Sequence, residues 1–474
     1  MPSGPAAISR APTPTRTATP TSRCCGRWAI RWRSTPTCRC IGWPAAAAGP
    51  SRTGGASAEP PACCYPKERS GERPPVLALE LYRSVTRYAA AKAVGGRLPG
   101  LLAGPLAPLR LVNREEPVAP APGWARVQPR LSGICGSDLA TLSGRASFYF
   151  SSLVSMPFVP GHEVVGDLYD QCEDLPAGTR VVLDPVLSCA ARGLEACASC
   201  AGGSTGRCDH VTVGHLAPGL QTGYCADTGG GWGRMFVAHR SQLHPIPDGL
   251  ADRRAVLVEP LACAVHAALR ARPEPGASVL VVGTGTVGAL TLLALRALTP
   301  AGRILAVAKH ERQQDLARRL GASEVIDPKA AVTALRRATH ALRLEPERGL
   351  PYLLGGVDVA VDAVGSKASL DLALRTTRAG GRVVLAGMPA SGADLAPVWF
   401  RELEVAGAYT GGTEITEEGP RSTFDVAMDL AAEAPLEDMV GGVYGLTRWR
   451  EALDHAFGAG RLGTAKVVFD PRGD

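Results

Sequence analysis

Residues able to bind a transition metal recur at three places in the middle of the chain. GICGSD sets Cys135 beside a glycine-flanked turn, PFVPGHEVVG joins His162 to Glu163, and VEPLACAVHAAL carries Glu259 and Cys263. Thiolate, imidazole and carboxylate are all good Zn²⁺ ligands, and a catalytic zinc needs about three of them with one position left open. Ligands so far apart in sequence suit a cleft between domains better than a small zinc finger. Singly each has a plainer explanation: an isolated cysteine is usually core, and an isolated Gly-His-Glu is usually a turn.

A denser cluster follows. Cys189, Cys197, Cys200 and Cys208 are spaced C-x7-C-x2-C-x7-C, and four thiolates closing a tetrahedron make a structural zinc. Cys172 and Cys225 fall outside both patterns. The chain has 14 cysteines, but no hydrophobic signal segment is evident, so metal binding in a reducing cytoplasm is expected rather than a disulfide scaffold.

The third chemical feature is VLVVGTGTVGALTLLALRAL, residues 279–298. A β-branched run enters a glycine turn and leaves as a helix, which is the context a dinucleotide fingerprint requires. Gly283 allows the tight turn and Gly285 the approach of a pyrophosphate. Gly288 lets the helix pack closely, Thr286 and Val287 belong to the same cofactor-binding turn, and the N-terminus of the helix faces the phosphates. A membrane span is the alternative for some 20 nearly uncharged residues; three glycines and Arg296 argue against it.

The elements that would hold these groups divide the chain. Residues 266–410 alternate strand and helix: Ser278–Val282, Arg303–Ala308, Val357–Asp362 and Gly381–Ala386 read as strands, with helices at Ala289–Leu298, Glu311–Leu320 and Ser369–Thr377. That rhythm predicts a doubly wound parallel sheet. Residues 328–356 read as an arginine-bearing surface insertion. Residues 76–265 suggest a β-rich domain, with strands expected at Trp124–Leu131 (despite Pro129), Val164–Leu168 and Arg180–Leu183, and residues 411–474, of mixed texture and ending in a strand at Thr464–Phe469, are expected to rejoin it. Residues 1–75, rich in Pro, Ser, Thr and Arg, read as a disordered extension or a mis-assigned start. Their eleven Lys/Arg against three Asp/Glu give +8, so the rest of a chain of net charge +7 stands at −1. The basic balance therefore does not point to nucleic acid.

GICGSD, PGHE, EPL and GTGTVG, in that order over about residues 105–474, resemble the zinc-dependent medium-chain alcohol/polyol dehydrogenase family. The resemblance implies an α/β protein, with a β-rich GroES-like catalytic domain beside a doubly wound (Rossmann) cofactor domain. It implies Cys135 and His162 as catalytic zinc ligands, Glu163 as a direct or alternating ligand, and Glu259 at the remaining place, directly or through water. Cys263 is the rival for that place. Ser137 matches a hydroxyl that relays the proton, and Asp138 an acid that orients the histidine ligand. The last three clustered cysteines match the family's structural lobe. The first departs from it, because Leu194 stands where a cysteine is expected and Cys189 lies five residues earlier.

The expected chemistry is hydride transfer between an alcohol, polyol or sugar and a nicotinamide. The ribose-binding acid of the fingerprint falls about 20 residues after its last glycine, and here Ala308 occupies that place. Lys309, His310 and Arg312 follow, a set suited to a 2′-phosphate, so NADP is expected over NAD, with Glu311 as a displaced acid in the second case. A zinc-free quinone or enone reductase, or a non-catalytic dinucleotide-binding protein, would share the fold but has no use for these ligands. Phe148, Tyr149 and Phe150 are candidates to line a substrate pocket. A cytoplasmic homodimer or homotetramer is expected, with neither nucleic acid nor membrane as partner.

Overall fold

The computed structural model describes residues 75–94, 99–416 and 418–473. The expectation for the first 75 residues lies, but for Pro75, outside the described residues.

Six parallel strands form one sheet in the spatial order Glu324–Ile326, Arg303–Val307, Ser278–Val282, Val357–Asp362, Thr377–Leu385, Glu404–Gly407. The order reverses between Ser278–Val282 and Val357–Asp362, the switch point at which doubly wound sheets bind ligands. Alternation explains the apolar runs. Val279, Val281, Ile304, Ala306, Val359 and Val361 share a core with helices Val258–Ala271, Thr286–Leu298 and Thr423–Glu433. Leu280, Val282, Leu305, Val307 and Ala360 share the opposite core with helices Ala331–Thr339 and Lys367–Thr376. A parallel sheet covered on both faces needs no polar side, hence strands without alternation. Each buried valine, leucine or isoleucine among them contributes about 1.5–3 kcal/mol.

Two expectations change here. Helix Thr286–Leu298 begins ahead of Ala289, with Gly285 as its N-cap, so Thr286 and Val287 are helical. The supposed surface insertion is folded. Helix Ala331–Thr339 buries Ala331 and Leu335, and Leu342–Leu344 pairs antiparallel with Tyr352–Leu354. Arg336 and Arg337 hid this pattern, because they occupy the exposed side of a helix that is buried on the other.

A seven-stranded sheet forms the second layer, in the order Val440–Tyr444, Lys466–Phe469, Trp124–Gly133, Val164–Leu168, Arg180–Leu183, Leu243–Pro245, with Phe236–His239 paired to the start of Trp124–Gly133. The register slips between Pro129 and Leu131, the kind of irregularity that lets a strand hold a proline. Lys466–Phe469 runs antiparallel to Trp124–Gly133, so residues from the far end of the chain complete this sheet. Strands Val76–Leu81 and Leu109–Arg114 make a separate antiparallel pair whose connection holds the helix Val85–Val94. Among the described residues no helix is long and apolar enough to cross a membrane.

Candidate functional site

Cys135 is the N-cap of the short helix Gly136–Leu142, and its backbone N–H donates to the Asp138 carboxylate at 3.0 Å. His162 and Glu163 enter the neighbouring strand Val164–Leu168. The Cys135 Sγ, a His162 ring nitrogen and a Glu163 carboxylate oxygen lie within 4.8 Å of one another. Asp138 is 3.7 Å from His162 Nδ1, beyond hydrogen-bonding distance. It also accepts from Tyr224 Oη at 3.3 Å. Burial alone would lower the His162 imidazole, yet the anionic neighbours Asp138, Cys135 and Glu259 raise it well above the ordinary histidine value. Buried anions that favour positive charge so strongly suit a cation at their centre.

Glu163 is not free to act alone. Lys466 Nζ lies 2.6 Å from both of its carboxylate oxygens, and both side chains are buried. Burial lowers the lysine pKa, but Glu163 and Cys135 raise it, and the net shift is upward. Sequence reasoning missed Lys466. Its one signal was a lysine inside the otherwise apolar run AKVVF. Glu259, in the first turn of Val258–Ala271, stands outside the three-residue set but lines the same cavity. Burial, ahead of every other influence, pushes its carboxyl up to about 7. Cys263, one turn on, donates to Glu259 at 3.6 Å, and its thiol is raised well above the usual value by burial and then by Glu259.

The four clustered cysteines converge: their sulfurs all lie within 4.8 Å of one another. The turn after Cys189 closes with Leu194 N–H donating to the Cys189 carbonyl at 3.0 Å, and this delivers the displaced first sulfur. Backbone N–H groups of Asp209 and Cys200 lower the Cys197 thiol to about 6, toward the thiolate that a metal needs. Arg192 was also missed. Fully buried, its guanidinium donates to the carbonyls of Leu187, Val213, Leu216, Ala217 and Gly219 and so ties the lobe together.

Both centres differ in what lies around them. A cavity of about 1620 Å³ is lined by Cys135, His162, Glu163 and Glu259, and across from them by Val287, Val364 and Gly365 at the carboxyl ends of the parallel strands. Ser137 lies on its wall with a buried Oγ that has no hydrogen-bond partner among the described residues. Phe148 and Phe150 line it too, whereas Tyr149 does not. Gly283 has φ +89°, the left-handed region that favours glycine. A Cβ on Gly288 would sit 1.9 Å from the Gly283 carbonyl oxygen, while one on Gly285 would meet nothing within 4 Å. That is the close helix and the vacant cradle a pyrophosphate requires. Lys309 and Arg312 are exposed beyond the second strand, with no acidic partner among the described residues, and Ala308 is buried.

Residues 121–248 match the Alcohol dehydrogenase GroES-like domain, and residues 286–433 match the Zinc-binding dehydrogenase family. The chain is 30% identical to L-idonate 5-dehydrogenase of Vitis vinifera over 291 residues, 60% of this chain and 72% of that protein. It is 27% identical to D-arabinitol dehydrogenase 1 of Uromyces fabae over 334 residues, 68% and 84% of the two. A zinc-binding dehydrogenase from Sinorhizobium meliloti 1021, solved bound to NADP, has the same fold, with a TM-score of 0.61 and 24% identity over 84% of this chain and 99% of that one. The chain belongs to the zinc-dependent medium-chain alcohol/polyol dehydrogenase family. That makes it a zinc- and NAD(P)-dependent oxidoreductase, rather than a zinc-free reductase or a non-catalytic nucleotide-binding protein.

Proposed function

We propose that Cys135 and His162 hold the catalytic zinc and that Glu259 takes the third place, directly or through water, while Lys466 keeps Glu163 beside it in reserve. The observation that carries this reading is the meeting of Cys135, His162 and Glu163 within 4.8 Å on a cavity whose far wall is the dinucleotide crevice. A zinc held there supplies Lewis acidity, lowering the pKa of an alcohol oxygen toward neutrality. Ser137, its Oγ buried and without a hydrogen-bond partner among the described residues, accepts the alcohol proton and passes it outward. Asp138 sets the position of the Cys135 backbone through its N–H and places a carboxylate near the His162 ring without bonding to it. The glycine turn Gly283–Gly288 would hold the pyrophosphate of a dinucleotide whose nicotinamide would supply the hydride acceptor, and Val287 lines the cavity beside that turn.

Lys309 and Arg312 favour NADP over NAD, since no carboxylate stands at Ala308 to take the ribose hydroxyls. Cys189, Cys197, Cys200 and Cys208 hold a second, structural zinc. The substrate is an alcohol, polyol or sugar, in keeping with the names of the relatives. A cytoplasmic homodimer or homotetramer, with neither nucleic acid nor membrane as partner, completes the reading. The outer strand Glu404–Gly407 and the exposed Leu395, Trp399 and Phe400 near it support a contact with a second copy.

Elemental analysis of the purified full chain tests the two zinc sites. About two zincs per chain are expected, one in a Cys135→Ser variant that has lost alcohol oxidation, and a metal-free active enzyme would sink the reading.

A further inference from the structure

One wall of the cavity is built by residues that precede both family matches. Tyr82, Arg83, Ser84, Val85 and Tyr88 line it, from the connection between the first two strands, whereas the earlier match begins at residue 121. The wall is anchored. Arg87 donates to the carbonyls of Pro105 at 2.5 Å and Ala107 at 3.0 Å. Tyr88 Oη donates to the Gly144 carbonyl at 3.0 Å, and its ring centroid is 5.3 Å from that of Phe148.

The charge on this rim is one-sided. From Tyr82 to Asn113 the sequence has five basic residues and no acid, and from Leu139 to Pro160 it has Arg145 and no acid. Three of these cations are engaged. Arg87 serves backbone carbonyls, Arg110 pairs with Glu80 at 2.5 Å, and Lys92 sits 5.4 Å from the Phe148 ring. Two on the cavity lining are not. Arg83 is exposed without a polar partner among the described residues, and Arg145 donates only to Ser143 Oγ at 2.9 Å. Lys367, which lines the cavity as Arg110 does, pairs with Asp371. The acids of the lining, Glu163 and Glu259, are both at the metal end. Tyr88, Leu139, Phe148, Phe150 and Leu153 supply an apolar part of the same lining.

We infer that the substrate is an alcohol bearing an anionic group, carboxylate or phosphate, which Arg83 and Arg145 receive at the rim while an apolar middle spans the aromatic wall. This rests on the dehydrogenase reading for the carbinol end, but not for the anion. A guanidinium fork matches the paired oxygens of either anion; Arg83 has no bond among the described residues to give up, and Arg145 keeps both of its terminal nitrogens free of one.

The test is titration calorimetry on the zinc-loaded full chain with NADPH bound, so that no oxidation occurs. Benzyl alcohol, 4-(hydroxymethyl)benzoate and 4-(hydroxymethyl)phenyl phosphate serve as probes. Both anions, or one of them, should bind at least tenfold more tightly than benzyl alcohol, and the tighter of the two identifies the anion. An R83Q/R145Q double variant should bring the anion-to-neutral ratio to near one; both side chains are exposed, and a thermal melt checks the fold. Equal binding of all three probes, or a ratio that survives in the double variant, would overturn the inference. Oxidation with NADP⁺ is measured separately. Anions that bind through the two arginines without being oxidised would sink the dehydrogenase reading and leave the anion site standing.

Discussion

Substituting Gly288 with alanine probes the join between fold and cofactor at a single atom. The added Cβ would lie 1.9 Å from the Gly283 carbonyl oxygen, 2.9 Å from its carbon and 3.1 Å from Ala363 Cβ. The first neighbour is backbone and cannot rotate aside. Helix Thr286–Leu298 or the turn must therefore move by roughly 1 Å to restore an ordinary carbon–oxygen contact of about 3.2 Å. The helix resists, because Ala289, Leu290, Leu292, Ala294 and Leu295 are all fully buried. Overpacking of this kind costs about 1–3 kcal/mol, offset by about 1 kcal/mol from the better helix propensity of alanine. The net loss of stability is therefore modest, about 0–2 kcal/mol. The effect on the cofactor is larger, since a misplacement of about 1 Å costs up to ~100-fold where binding geometry is tight. NADPH fluorescence titration should show affinity falling by about 10- to 100-fold, with zinc content unchanged. Gly285→Ala is the companion experiment. Its Cβ meets no protein atom within 4 Å, so the variant should melt with the parent and yet bind NADPH poorly, because the methyl group enters the pyrophosphate's space. A Gly288→Ala protein that binds NADPH within about twofold of the parent, or a Gly285→Ala protein with full affinity, would refute the assignment of this turn.

Three other perturbations follow from the same structure. Lys466→Met leaves Glu163 buried beside an apolar side chain and should cost about 3–5 kcal/mol in denaturant unfolding; adding Glu163→Gln should restore much of it, and a neutral single variant would show the pair to be inconsequential. Arg192→Met strands five carbonyl partners, each worth about 1–3 kcal/mol if left dry. It should unfold the cysteine lobe and release about one zinc per chain, read by elemental analysis and a thermal melt. Replacing Lys309 and Arg312 together by alanine should raise KM for NADP⁺ by about tenfold or more with little change for NAD⁺; equal effects on both cofactors would remove the basis for the NADP assignment.

Local chemistry made much of this protein legible from its residues alone. Gly283, Gly285 and Gly288 needed only the strand before them and the helix after them, because a βα turn is built from consecutive residues. The four-cysteine set was legible for the same reason: nineteen positions separate its ends, and a short turn at Cys189 makes up the displaced spacing. The folded stretch at 328–356 escaped, since its arginines lie on exposed faces and mask a shallow buried pattern at Ala331 and Leu335.

What the sequence by itself determined, then, was which groups are capable of chemistry and which sheet ends in the glycine turn. Cys135, His162 and the glycine turn are recognisable one motif at a time. Only the tertiary structure decided which groups meet. Antiparallel pairing of Lys466–Phe469 with Trp124–Gly133 brings an ammonium across 303 positions of chain to Glu163. The connection between the first two strands becomes a wall of the cavity through Tyr88 and Phe148. Neither follows from spacing, because strand order is set by which faces must be buried together and leaves no mark in the residues between.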